Sequence, residues 1–185
     1  MNICIFPGTF NPIHMAHINM AKFAIEKYGF EKIIFIPAYI PPHKLISSNL
    51  AIHRYNMVKL VCNNNPKFEI SNIEFESEGK SYTIYTVKKI RQLYNIKHKL
   101  SMIIGTDAFN KIKTWYQAEE LKDLVHFIVF QRGGDIINKD EFIGYSYEFA
   151  NAEKYDISSS EIRESKKGDI SKEVKEYINK NELYN

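Results

Sequence analysis

Gly8, His14 and His17 follow directly on the apolar run Ile3-Cys4-Ile5-Phe6, which stops at Pro7-Gly8. A glycine at a strand end lets an anionic group approach the backbone, and the start of the next helix offers N–H groups and a positive dipole end. Two imidazoles three residues apart at that crossing can face one ligand, donating hydrogen bonds to phosphate oxygens or to a phosphorus centre that gains charge. In a second reading one histidine caps the helix and the other is a surface residue, and spacing alone does not separate the two. A zinc site is a third, but the glutamate of HExxH is missing and no cysteine cluster could complete a tetrahedron. No GxGxxG follows the first strand and no GxxxxGK precedes a Ser or Thr, so any phosphate is bound without those devices.

Other candidate residues also stand just after apolar runs. Pro41-Pro42-His43-Lys44 lies in a Pro- and Ser-containing stretch from Pro37 to Asn49, a surface loop of the length that often carries function. Tyr82-Thr83 opens a helical pattern where an anion is favoured, and Trp115-Tyr116 supplies an aromatic face. Taken singly, each has a plain structural explanation as cap, core residue or loop. His53-Arg54 reads as an anchor of its helix, His98 and His126 as structural, and the tail lysines Lys166, Lys167 and Lys172 as solvated helix faces.

The elements that must position these residues alternate regularly. Apolar runs at Ile3–Phe6, Ile33–Ile36, Leu100–Ile104 and Val125–Phe130 read as buried strands, with weaker strands over Phe68–Phe75 and Tyr147–Phe149. Between them, Ile18, Ala21, Ala24, Ile25 and Tyr28 form one helix face closed by Gly29. A second helix spans Ala51 to Asn63, with Ile52, Tyr55, Met57, Leu60 and Val61 as its apolar set. A third opens at Ser81-Tyr82-Thr83 with Ser81 or Thr83 as N-cap, and Phe109–Leu124 is mainly helical. Fully apolar strands between amphipathic helices predict an α/β fold: a Rossmann-like doubly wound parallel sheet with helices on both faces. One domain over 1–185 is expected, its C-terminal helices at about 159–180 packed on the same body. Ligands in such folds bind beyond the carboxyl ends of the strands.

Composition narrows the function classes. With 44% hydrophobic and 25% charged residues, 8 Gly and 6 Pro, the chain is neither a disordered tail nor a collagenous or disulfide-stapled protein. A net charge of +3 without a long basic block suits a small anionic ligand and falls short of a nucleic-acid binder. Cys4 and Cys62 sit in apolar settings outside any CxxC pair, no apolar run reaches membrane-spanning length, and no signal peptide opens the chain. A cytoplasmic address and no membrane partner are expected, and self-association is left open.

Gly8-Thr9-Phe10-Asn11-Pro12-Ile13-His14-x-x-His17 resembles the Gly-Thr-Phe-Asp-Pro and His-x-Gly-His signature of the nucleotidyltransferase superfamily. Further segments extend the likeness: Pro41-Pro42-His43-Lys44, His53-Arg54 with Met57, Ser81-Tyr82-Thr83, Gly105-Thr106-Asp107, Trp115-Tyr116 and Ile157-Ser158-Ser159-Ser160-Glu161-Ile162-Arg163. In order and spacing they cover almost the whole chain and resemble the bacterial nicotinate-nucleotide adenylyltransferases. The departures are Pro7, Asn11 for the usual aspartate, and Ala16 for the glycine before the second histidine.

The resemblance implies adenylyl transfer from ATP, as substrate, to nicotinate mononucleotide, with Mg²⁺ carried on the ATP phosphates and no protein-held metal. It implies catalytic roles for His14, His17, Lys44 and Arg163, and ATP contacts from Gly8, Thr9, Phe10, His14, His17, Gly105, Asp107, Arg132, Ile157, Ser159 and Arg163. Lys44, Tyr82, Thr83, Trp115 and Tyr116 would bind the acceptor. Nicotinamide mononucleotide or phosphopantetheine is the alternative acceptor, and a non-catalytic nucleotide-binding module is the alternative of another class.

Overall fold

A computed structural model describes residues 1–43, 48–76, 79–131, 138–151, 159, 162–163 and 169–184. Six strands form one wholly parallel sheet: β1 (Ile3–Gly8), β2 (Lys32–Pro37), β3 (Phe68–Ile70), β4 (Leu100–Gly105), β5 (Val125–Phe130) and β6 (Ser146–Phe149). Their order is β3-β2-β1-β4-β5-β6, so the chain winds outward from β1 in one direction and, after β4, in the other. The crevice between β1 and β4 is the switch point at which a doubly wound sheet binds ligands. The expected fold class is the observed one.

Strand pleating explains why these runs are apolar throughout. Cys4 and Phe6, Ile33 and Phe35, Ile103, Ile128 and Phe130 face one core. Ile3 and Ile5, Ile34 and Ile36, Met102 and Ile104, Phe127 and Val129 face the other. Alternate side chains thus meet opposite helix layers, and neither face can be polar. The first layer holds α1 (Met15–Tyr28) and α2 (Ala51–Asn63), with α6 (Lys172–Lys180) packed on it through Val174. The second holds α3 (Thr83–Leu93), the single-turn α4 (Thr106–Phe109) and α5 (Ala118–Leu124). Gly29 closes α1 in the left-handed conformation at φ 67°, and its N–H donates to the carbonyl of Ile25, as its place in the sequence suggests.

Several boundaries differ from the sequence reading. β1 runs through Pro7 to Gly8, because Pro7 and Gly8 still pair with Ile36 and Pro37. β3 ends at Ile70, where the chain turns: Phe75 N–H donates to the carbonyl of Asn72. The helical stretch expected over Phe109–Leu124 is broken, since Trp115 is extended and Gln117 is left-handed at φ 52°. In α2 the buried face is Arg54, Met57, Val58, Val61 and Cys62, while Ile52 is 53% exposed. Tyr82, not Ser81 or Thr83, stands at the N-cap of α3, because the Ser81 hydroxyl is used elsewhere.

Both cysteines are free and buried; burial raises the Cys4 thiol and pushes Cys62 up to about 12, so neither is a nucleophile at neutral pH. Among the described residues no helix is long and apolar enough to cross a membrane.

Phe35, fully buried among the rings of Phe6, Phe10 and Phe68, links the sheet to the loop after β1. Phe35→Ala should therefore destabilise the protein by about 3–5 kcal/mol. A chemical denaturation series reads this directly, and a loss below about 1 kcal/mol would contradict the packing described.

Candidate active site

A cleft of about 950 Å³ opens over the carboxyl ends of β1 and β4. Its floor is the β1–α1 loop, residues 9–14, of which Phe10, Asn11, Ile13 and His14 are buried. Phe10 is left-handed at φ 49°, a conformation costly for a bulky residue, and its ring is locked between Phe6, Phe35 and His17. The Asn11–Pro12 peptide is cis.

His14 is the N-cap of α1 and His17 stands one turn on, with ring centroids 3.7 Å apart. The His14 backbone N–H donates to His17 Nδ1 at 3.3 Å. That bond requires a lone pair on Nδ1, so the neutral ring carries its proton on Nε2 and can donate from there. The two sequence readings of this pair therefore merge: one bond caps the helix, and both rings still line the cleft. No acidic side chain stands in the first turn of α1, so the dipole end is left positive toward an anion.

The loop is fastened from distant parts of the chain. Arg54 Nη1 donates to the carbonyl of Thr9 at 2.8 Å, Arg163 Nη1 to that of Asn11 at 2.5 Å, and Ser159 Oγ to that of Pro12 at 3.0 Å. The Tyr184 hydroxyl donates to Asn11 Oδ1, and burial pushes that hydroxyl up to about 12, so it stays a donor at neutral pH. Asn11, which departs from the aspartate of the resembling signature, thus keeps the acceptor oxygen that Tyr184 needs.

The opposite wall comes from the second half of the sheet and from α3. Gly105 ends β4 and Asp107 follows it, and a Cβ on Gly105 would lie 2.9 Å from Asp107 Oδ1, so the carboxylate folds back over the strand end. Tyr82 and Thr83 at the start of α3 line the cleft together with Trp115 and Tyr116. The Tyr82 and Tyr116 rings are 4.7 Å apart, and the Tyr85 hydroxyl donates to that of Tyr116 at 3.4 Å. α3 has no side-chain cap and no acid in its first turn, which again favours an anion. The Ser81 hydroxyl accepts from the N–H groups of Tyr39 and Ile40 at 3.0 and 3.3 Å, tying the β2–α2 loop to this wall.

Of the sequence-selected residues, Gly8, Thr9, Phe10, His14, His17, Tyr82, Thr83, Gly105, Asp107, Trp115, Tyr116, Ser159 and Arg163 line one cleft. Lys44, Arg132 and Ile157 lie outside the described residues. The sequence reading missed Glu74, a buried carboxylate on the cleft wall that accepts from Thr86 Oγ1 at 2.7 Å. Burial raises its carboxyl above the ordinary range. Its sequence signal was weak, one of two glutamates inside the stretch Phe68–Phe75 that reads as strand.

The donors present do not make a metal centre of their own. Among the described residues no group of three or more His, Cys, Asp and Glu is arranged to hold an ion. The two described acids on the cleft wall are Asp107 and Glu74.

A doubly wound sheet with a histidine pair and two anion-favouring helix starts at its switch point defines a phosphate-handling α/β protein of the nucleotide-transferring class. The chain belongs to the cytidylyltransferase-like family, whose model matches residues 5–165. It is 38% identical to the nicotinate-nucleotide adenylyltransferase of Bacillus subtilis, the match covering 98% of this chain and 97% of that one. It is 36% identical to a probable nicotinate-nucleotide adenylyltransferase of Fusobacterium nucleatum, over 97% of this chain and 98% of the other. Among solved structures, the Plasmodium falciparum nicotinic acid mononucleotide adenylyltransferase complexed with NaAD superposes with a TM-score of 0.82 at 26% identity, covering 99% of this chain and 97% of that one.

A Cβ on Gly8 would meet the Phe10 ring at 2.7 Å, and that ring is hemmed in by Phe6, Phe35 and His17. Gly8→Ala is therefore expected to cost about 1–3 kcal/mol through overpacking. By displacing the His17 ring it should also slow nucleotide turnover roughly 10²-fold, since angstrom shifts at a reacting centre have that effect. Melting and steady-state rates on one preparation check both, and a fully active variant would separate Phe10 from the histidines.

Proposed function

We propose that the protein transfers the adenylyl group of ATP to nicotinate mononucleotide, releasing pyrophosphate and forming deamido-NAD, a step of NAD biosynthesis. The observation that carries the reading is one cleft joining a histidine pair at the β1–α1 crossing to an aromatic wall at the start of α3. The relatives' names and the NaAD held by the Plasmodium neighbour support the same substrates.

In this reaction an oxygen of the acceptor's phosphate attacks the α-phosphorus of ATP. A P–O bond forms there, the bridge from the α- to the β-phosphorus breaks, and its electron pair leaves with pyrophosphate. The transfer needs alignment and charge stabilisation rather than a covalent nucleophile. His17 donates from Nε2 to the phosphate chain, a role favoured by the bond that occupies its Nδ1. His14, buried beside it, adds a second imidazole at the same centre. Arg163 and Lys44 supply positive charge, and the Ser159 hydroxyl adds a donor. Gly8, Thr9 and Phe10 give the nucleotide a backbone floor. Gly105 and Asp107 hold ribose or adenosine hydroxyls, and Arg132 and Ile157 complete the proposed ATP contacts. Mg²⁺ on the ATP phosphates, when bound, neutralises charge that builds toward pyrophosphate.

The acceptor's ring lies against Trp115 and Tyr116, and its carboxylate meets the N–H groups at the start of α3, beside Tyr82 and Thr83. The substrates and the buried, unpaired thiols fit a cytoplasmic address.

Pyrophosphate release with Mg²⁺ and ATP, run in parallel with nicotinate mononucleotide, nicotinamide mononucleotide and phosphopantetheine, tests the reading. Turnover is expected with the nicotinate form alone. Silence with all three in a folded, ATP-binding sample would make the protein a binding module instead. His17→Ala should lower kcat by about 10²–10³, the usual loss for one charge-stabilising donor, with the melting temperature nearly unchanged. Parent-like turnover in that variant would remove His17 from the mechanism.

A further inference from the structure

The largest fully buried side chain among the described residues is a charged one, Arg54. It rises from the first turn of α2 and takes no part in the cleft wall. All three of its hydrogen bonds go to backbone carbonyls: Nη1 to Thr9 at 2.8 Å and to Ala38 at 2.6 Å, and Nη2 to Tyr39 at 3.0 Å. Thr9 belongs to the loop under the nucleotide phosphates. Ala38 and Tyr39 begin the β2–α2 loop, which Ser81 ties to the acceptor wall. One nitrogen therefore bridges the two halves of the site.

That arrangement has a physical logic. Carbonyl oxygens converging from two loops repel each other, and in a dry interior only a donor placed between them holds them at one separation. A planar guanidinium supplies several donors in fixed directions, which an ammonium or an amide cannot copy. Burial pushes the Arg54 guanidinium below its ordinary value, Tyr184 and Glu74 oppose that shift, and Glu74 is itself held by Thr86 Oγ1. The β2–α2 loop is also bound to β1 directly, Ala38 N–H donating to the carbonyl of Gly8 at 2.9 Å.

We propose that Arg54 is a positioning residue for adenylyl transfer: its guanidinium fixes the nucleotide loop and the acceptor loop at the separation that brings the acceptor phosphate onto the α-phosphorus. The inference rests on the reaction proposed above. It separates binding from catalysis, because each substrate meets mainly one loop while the reaction needs both in register.

The test compares the parent with Arg54→Lys, Arg54→Gln and Glu74→Gln, measuring kcat with ATP and nicotinate mononucleotide and the Kd of each substrate alone by calorimetry. Both Arg54 variants should lose about 10²-fold in kcat while each single-substrate Kd moves less than about threefold. Val58→Ala, a cavity in the same helix, is the control for lost stability alone and should keep the parent kcat below its melting temperature. Addition of guanidinium chloride at low concentration should raise kcat of Arg54→Gln, and an equal ionic strength of sodium chloride should not. Glu74→Gln is isosteric and keeps an acceptor oxygen for Thr86 Oγ1; it should reduce kcat at least about threefold with the same pattern of unchanged Kd values. Folded Arg54 variants with kcat within about threefold of the parent overturn the proposal, as does an equal loss in Val58→Ala. If the Arg54 variants do not fold, a fully active Glu74→Gln overturns it. A parent silent with both substrates would sink the reaction and the proposal together, whereas an active parent with active variants sinks the proposal alone.

Discussion

A loop buried at the centre of a protein cannot leave its carbonyls to water, and the β1–α1 loop is built around that constraint. Phe10, Asn11, Ile13 and His14 have almost no solvent access. The carbonyls of Thr9, Asn11 and Pro12 are met instead by Arg54, Arg163 and Ser159, drawn from α2 and from the C-terminal third of the chain. The N–H of Met15 donates to the carbonyl of Asp169, and Tyr184 reaches Asn11 from the far end. The histidines stand on a backbone held at three carbonyls by side chains from elsewhere in the chain. Rigidity of this kind suits a reaction that depends on alignment, in which no covalent intermediate corrects a misplaced substrate.

The two faces of the cleft divide the labour by physical character. The β1–α1 side presents imidazoles, backbone and a guanidinium, groups suited to an anion. The wall at α3 offers rings: Tyr82 and Tyr116 lie 4.7 Å apart, with Trp115 beside them. Ser81 binds the β2–α2 loop to that wall through its hydroxyl, so the segment that resembles a helix cap in sequence is spent on joining two loops. Both sides are carried on the carboxyl ends of strands whose interior-facing residues are fixed in two cores.

Much of this was legible in the sequence because the strands are apolar on both faces, which leaves few alternatives to a covered parallel sheet. The histidine pair and the aromatic wall were legible through their places after successive strands. What escaped has a common cause. Ile52 looked like core and is exposed, while Arg54 two residues on is buried, because hydrophobic spacing cannot register carbonyls that arrive from other loops and demand a donor. Glu74 was hidden in the same way: its burial depends on Thr86 and on the turn that ends β3 at Ile70, and neither is local to it. The extent of β3 was overestimated since alternation persists through Phe75 after pairing with β2 has ceased at Ile70.

The fastening of the β1–α1 loop also divides the chain. Taken from the N-terminus, all six strands are complete by Phe149. The loop at residues 9–14 is then still short of Ser159, Arg163, the carbonyl of Asp169 and Tyr184. The sheet and the floor of the cleft therefore draw on different lengths of chain: removal of the residues beyond Phe149 would leave every strand in place and strip residues 9–15 of four tethers.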